Sequence, residues 1–161
     1  MRPIIKNADL ARSPESNLEL FTACRRELAR RVIEPALRAG RWIVSDRNWL
    51  SSLAIQGFGE GLSVQTIVER SQEALGDQFM PDYTIIIDAP VEVVAARLLG
   101  RGPRANDLFR ASGQDHFEKL RSGYLWAATE YNIPFVDGTQ SPEVVHSQIM
   151  QHLGALMLDP A

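Results

Sequence analysis

The chain reads as an α/β protein with a mainly parallel sheet. Two observations predict this. Short apolar, β-branched runs alternate with longer stretches of helical period. Two of those runs, Trp42-Ile-Val-Ser-Asp46 and Tyr83-Thr-Ile-Ile-Ile-Asp88, end abruptly in an acid, as buried strands do when they leave a sheet for a ligand crevice.

Ser13-Pro14-Glu15 predicts the first helix start: a capping hydroxyl, proline at the first helical position, and an acid at the positive end of the dipole. The helix runs to about Ala39, with Leu18, Phe21, Leu28, Val32 and Leu37 in roughly helical register. Pro35 predicts a kink or joint, and Gly40 a terminator. Residues 41–45 read as the first strand. Gly57-Phe58-Gly59-Glu60-Gly61 reads as a flexible loop. Ser63 caps a second helix through about Leu75, closed by Gly76. The second strand covers residues 83–88, and Pro90 opens a third helix. Residues 100–113 hold Arg101, Arg104 and Arg110 with little apolar period, and read as a basic loop. A helix over about 114–131 follows, then a short strand at Ile133-Pro-Phe-Val136. Ser141-Pro142-Glu143 repeats the cap signature and starts the last helix, ending near Met157. With no internal repeat or linker, the 161 residues read as a single domain.

Composition narrows the function classes. A net charge of -3 argues against a nucleic-acid binder that works by bulk electrostatics. No apolar run approaches the roughly 18 residues of a membrane span and no basic-then-apolar leader opens the chain, so the expectation is a cytoplasmic protein. Cys24 is the single cysteine, which excludes an intrachain disulfide. His116, His146 and His152 are too scattered for a local metal motif.

Three groups of residues could do chemistry. Asp46-Arg47 stands at a strand's carboxyl end. Its arginine offers a planar fork to a phosphate and its acid could hold a magnesium water; the bland alternative is a local ion pair. Phe21 and Arg25 are one helical turn apart, so an aromatic face and a guanidinium could clamp a planar base; the alternative is a core aromatic beside a solvated arginine. Ser51, Ser52 and Gln56 offer small polar contacts or plain capping. Arg97, Arg101, Arg104 and Arg110 could close over phosphates, or line an ordinary surface loop.

In order and spacing these residues resemble the thymidylate kinases, P-loop nucleoside-monophosphate kinases that phosphorylate dTMP from ATP. Leu20-Phe21-Thr22-Ala23-Cys24-Arg25 is similar to that family's Phe-x-Ala-x-Arg helix, and Ile33-Glu34-Pro35-Ala36-Leu37 to its Ile-x-Pro-Ala-Leu segment. Asp46-Arg47 with Ser51-Ser52-Leu53-Ala54-Ile55-Gln56-Gly57 is similar to its Asp-Arg-(aromatic)-x-x-Ser-Ser-x-Ala-Tyr-Gln-Gly. Pro81-Asp82-Tyr83-Thr84 with Asp88, residues 115–124, and Val136-Asp137-Gly138-Thr139 resemble its later strands and the helix after its lid.

The resemblance implies a P-loop kinase-like parallel sheet flanked by helices, a lid over about residues 100–113, and a homodimer using dTMP, ATP and Mg²⁺. It implies that Phe21 stacks on thymine and Arg25 hydrogen-bonds it. Arg47 would hold the dTMP phosphate and Asp46 would help organise Mg²⁺. Ser51, Ser52 and Gln56 would line the pocket, and Arg101 and Arg104 would reach the ATP phosphates. There are departures. Ile55 stands where the family has Tyr, Asn48 where it has an aromatic, and Leu108 follows Asp107 where its lid often has Arg. The family's first two strands and its Gly-x-x-x-x-Gly-Lys-[Ser/Thr] loop have no counterpart; no Gly-Lys dipeptide occurs in the chain.

The expectation is therefore an N-terminally truncated domain that transfers phosphate poorly. Its two outer strands would pair directly, or another chain or upstream residues would fill the gap. Two alternatives are a related deoxynucleotide kinase with altered base choice and a non-catalytic, dimer-forming nucleotide binder.

Overall fold

The computed structural model describes residues 12–76, 80–102 and 112–158, with the side chains of 155–158 set aside. The chain forms two compact units. One runs to Asp82 and takes in Ser122–Tyr124; the other comprises Tyr83–Arg121 and the residues from Leu125 onward.

In the first unit, α1 spans Pro14–Leu28. The Ser13 hydroxyl accepts from the Ser16 amide, and proline opens the helix, as the cap signature predicts. The predicted disturbance near Pro35 takes a specific form. The ladder widens to a π-helical stretch over Ala29–Ile33 before resuming as α2, Glu34–Arg38. Proline has no N–H for the carbonyl four residues back and its ring crowds that carbonyl, so the wider turn relieves the conflict. Gly40, at φ 68°, ends the helix.

Residues 41–45 are a correction. They form no strand; Trp42 and Val44 are 75% and 96% exposed. The only sheet among the described residues holds two other strands. A strand is held by its ladder, and without a neighbour this apolar run gains neither hydrogen bonds nor cover.

The Gly57–Gly61 loop is also a correction. After α3, Trp49–Ser52, the backbone continues as a π-helix over Leu53–Gly59. Glycine has room for the wider turn, and the Glu60 amide reaches back five residues to the Ile55 carbonyl at 2.8 Å. Helix α4, Val64–Leu75, is capped by Ser63 and closed by Gly76 at φ 66°, as the sequence indicates. Leu18, Leu53, Ala54, Ile67 and Leu75 form the core between α1, the π-helix and α4. Each large aliphatic buried there stabilises by roughly 1.5–3 kcal/mol. Leu28, Val32 and Leu37, read as one apolar face with Leu18, are instead more than 40% exposed.

In the second unit, β1, Ile86–Asp88, pairs in parallel with β2, Phe135–Asp137; Ile86 stands opposite Phe135 and Asp88 opposite Asp137. Helices α5, Val91–Leu99, α6, Gln114–Glu130, and α7, Pro142–Leu158, follow the sequence expectation closely. The strands are shorter than the β-branched runs that signalled them. No helix among the described residues is long and apolar enough to cross a membrane.

Candidate active site

In the first unit two segments are tethered along a buried seam. The Arg25 guanidinium donates through Nη2 to the Ser52 hydroxyl, and Asn17 Nδ2 donates to Glu60 Oε1 at a long 3.4 Å. The pairs 25–52 and 17–60 run in opposite order, so α1 lies antiparallel to the α3–π segment. Phe21 and Thr22 therefore stand level with Gln56. Phe21 shares the helix face of Asn17 and Arg25 at one-turn spacing.

Thr22 and Gln56 are 2% and 1% exposed, yet Thr22 Oγ1, Gln56 Oε1, Arg25 Nη1 and Glu60 Oε2 are buried with no hydrogen-bond partner. An unsatisfied buried polar atom costs about 1–3 kcal/mol, and more when charged. Ser71 Oγ, on α4, is a fifth such atom. Burial holds the Arg25 guanidinium below its ordinary pKa, because desolvation disfavours the charged form.

At the start of α3, Asp46 and Arg47 are exposed. Arg47 sits at φ 71°, a left-handed conformation that costs a non-glycine residue of order 1 kcal/mol or more. The Ser45 hydroxyl donates to the Arg47 carbonyl at 2.8 Å, and the Asn48 side chain caps α3. The turn thus fixes the backbone and leaves the guanidinium in solvent. Asp46 has no companion: among the described residues, no three carboxylates, histidines or cysteines converge on a metal position.

Ser51 is joined to Tyr124, hydroxyl to hydroxyl, at 2.9 Å. That contact depends on Gly123, where an added Cβ would lie 2.9 Å from both Ala54 Cα and a Phe58 ring carbon. Of the sequence-derived site residues, Arg25 meets Ser52, with Phe21 one turn away on α1 and Gln56 on the following π segment; Ser51 meets Tyr124, and Asp46 and Arg47 stand at the entry to α3. Arg101 is exposed in the turn after α5, and Arg104 and Arg110 lie outside the described residues. Thr22, Asn17, Glu60 and Tyr124 were missed. Thr22 could have been found as the polar member of the Leu18–Thr22–Ala29 buried stripe. The others needed the helix pairing.

The second unit holds a different polar cluster. Arg121 grips Asp88 through two bonds of 2.9 and 2.8 Å, which raises the already high Arg121 pKa. Arg97 donates to the Gly138 carbonyl at 2.6 Å. The Gly138 amide donates to the Asp88 carbonyl at 2.7 Å. Asp137 accepts from the Thr139 hydroxyl, the Gln140 amide group and the Thr139 backbone, which together hold its carboxyl below the usual range. A cavity of about 510 Å³ adjoins this cluster, lined by Asp88, Arg121, Phe135, Asp137 and His152 among others.

A family model described as thymidylate kinase matches residues 1–149. The match puts the chain in the kinase class of phosphotransferases, nucleotide-binding enzymes. Thymidylate kinases of Kosmotoga olearia and Shewanella frigidimarina are 35% and 37% identical to it, over 94% and 98% of this chain and 72% and 74% of theirs. That of Cupriavidus pinatubonensis is 35% identical over 88% of this chain and 70% of its own. The chain belongs to the thymidylate kinase family.

Proposed function

We propose that the seam between α1 and the α3–π segment binds dTMP for phosphorylation by ATP to dTDP. The observation that carries this reading is the seam itself, where Arg25 Nη1 and Gln56 Oε1 are buried without a hydrogen-bond partner and Phe21 lies one helical turn from Arg25. Thymine stacks on Phe21, and one of its carbonyls receives Arg25 Nη1. Ser51, Ser52 and Gln56 line the pocket. Arg47, exposed at its strained turn, takes the monophosphate. The αL strain supports a site, since such conformations concentrate where function over-determines them.

Phosphoryl transfer needs mainly positioning and neutralisation of charge. A lone exposed carboxylate suits Mg²⁺, which keeps most of its waters and takes phosphate oxygens as ligands. Asp46 would hold one of those waters, and the ion would supply charge neutralisation between the phosphates. By the family resemblance, Arg101 and Arg104 would serve the ATP phosphates. The enzyme works as a cytoplasmic homodimer, and the exposed Leu28, Val32 and Leu37 supply apolar area for a subunit contact.

A polypeptide of these 161 residues alone transfers phosphate slowly, because no Gly-Lys dipeptide is present to cradle the ATP phosphates. A coupled ADP-release assay with dTMP and ATP tests both parts. Slow turnover is expected beside measurable dTMP binding. Rapid turnover would refute the impairment, and an absence of dTMP binding would refute the site.

A further inference from the structure

Two unpaired features of this chain complement each other. The first is residues 41–45. Trp42 and Val44 are 75% and 96% exposed, and among the described residues no backbone group of Trp42, Ile43 or Val44 is hydrogen-bonded. Apolar, β-branched chain with an unspent backbone is a template for strand pairing. The second is the outer edge of β1. Ile86 donates its amide to the Pro134 carbonyl and the Asp88 carbonyl accepts from the Gly138 amide, so both residues turn toward β2. Bonding groups alternate in direction along a strand, so those of Ile85 and Ile87 point to the edge that no described strand covers. Ile87 is 57% exposed.

Laid antiparallel, the two segments match residue by residue. Trp42 falls opposite Ile87, Ile43 opposite Ile86, Val44 opposite Ile85 and Ser45 opposite Thr84. Apolar and hydroxyl pairs of this kind are the neighbours that stabilise a sheet. The flanks carry opposite charge: Arg41 falls beside Asp88, and Arg47 beside the exposed Asp82. A parallel alignment keeps both charge pairs but sets Asp46 against Ile87, so the antiparallel one is favoured. We propose that residues 41–45 of one copy add as an antiparallel strand to the β1 edge of a second copy. Trp42 and Ile87 then form a directly hydrogen-bonded pair, and Val44 and Ile85 the next. The contact is separate from the helix face of Leu28, Val32 and Leu37. Arg47 has donors enough to meet a carboxylate beside a phosphate.

The test is disulfide trapping between two versions of the 161-residue chain, both carrying Cys24→Ser. One holds Trp42→Cys and the other Ile87→Cys. Directly bonded antiparallel partners lie about 5.5 Å apart at Cα, within disulfide reach. Mixing and mild oxidation should give the mixed cross-linked dimer. Adding Val44→Pro to the first chain should cut its yield at least about tenfold, since proline has no N–H for the ladder. Pairing Ile87→Cys with Leu99→Cys, exposed on α5, gives the background of random collision. In sedimentation, the wild-type mass should rise with concentration, and Val44→Pro and Ile87→Lys should each weaken that association at least about tenfold. Both positions are exposed, and melting curves establish that the variants fold. Cross-linking no greater than background, or association untouched by both variants, would overturn the assignment. A dimer built on the Leu28 face alone gives that second result.

Discussion

The two polar clusters of this chain make an instructive pair. In the second unit the groups find partners at short range. Asp88 with Arg121, Arg97 with the Gly138 carbonyl, and Asp137 with its own turn close a network around the ends of two parallel strands. In the first unit, Arg25, Thr22, Gln56 and Glu60 keep buried atoms with nothing to bond. A network that satisfies itself contributes to the fold. A seam left unsatisfied weakens the fold and strengthens whatever binds there, the usual relation between stability and function at a site. The difference predicts that mutations in the two clusters have opposite consequences.

The largest effect is expected at Arg25. Arg25→Met should weaken dTMP binding by about 1.5–3 kcal/mol, ten- to hundredfold, the worth of a hydrogen bond from a charged donor. The same change should leave the melting temperature unchanged or raise it, since a buried cation without a counter-charge is replaced by an apolar chain.

Gly138→Ala probes the other side. Its Cβ would lie 2.8 Å from both the Asp88 carbonyl oxygen and Ile87 Cγ2, so strands or turn must shift. Urea unfolding should show a loss of about 1–3 kcal/mol, as for other overpacked sites.

Arg121→Met should cost less, roughly 1–2 kcal/mol. The bidentate pair is well made, but its side chains remain 32% and 20% exposed and water screens them. Unfolding curves give the loss, and dTMP binding should not change. If Arg121→Met also abolished binding, the division of labour between the clusters would be broken.

The smallest effect is at Asp137. Its pKa is depressed, so its contribution to stability is complete above the ordinary carboxylate value of about 3.9 and is lost as pH falls through the lower folded value. Asp137→Asn should remove that part of the acid sensitivity, visible as a shallower fall in melting temperature between about pH 4 and 2.

Much of this was legible in the chain. Ser13-Pro14, Ser63, Gly76, Pro90 and Ser141-Pro142 mark helix ends by local chemistry, and local chemistry is what one sequence reports best. Phe21 with Arg25 could be read as a one-turn pair, and Ser51, Ser52 and Gln56 as small polar contacts. That they face each other could not, because the antiparallel pairing is set by core contacts distant in sequence. Residues 41–45 show the opposite failure. Their composition is that of a strand, but a strand exists only beside another, so pattern alone overstated the sheet. The glycines at 57 and 59 were read as breakers, whereas tertiary packing made them the means of widening a helix.

The central claim is that the unpaired atoms along α1 and the π-helix await a nucleotide base. Calorimetric titration of dTMP into Arg25→Met beside Arg121→Met tests it most directly. The account predicts at least a tenfold loss of affinity for the first and wild-type affinity for the second. Equal, undiminished affinity in both would contradict it.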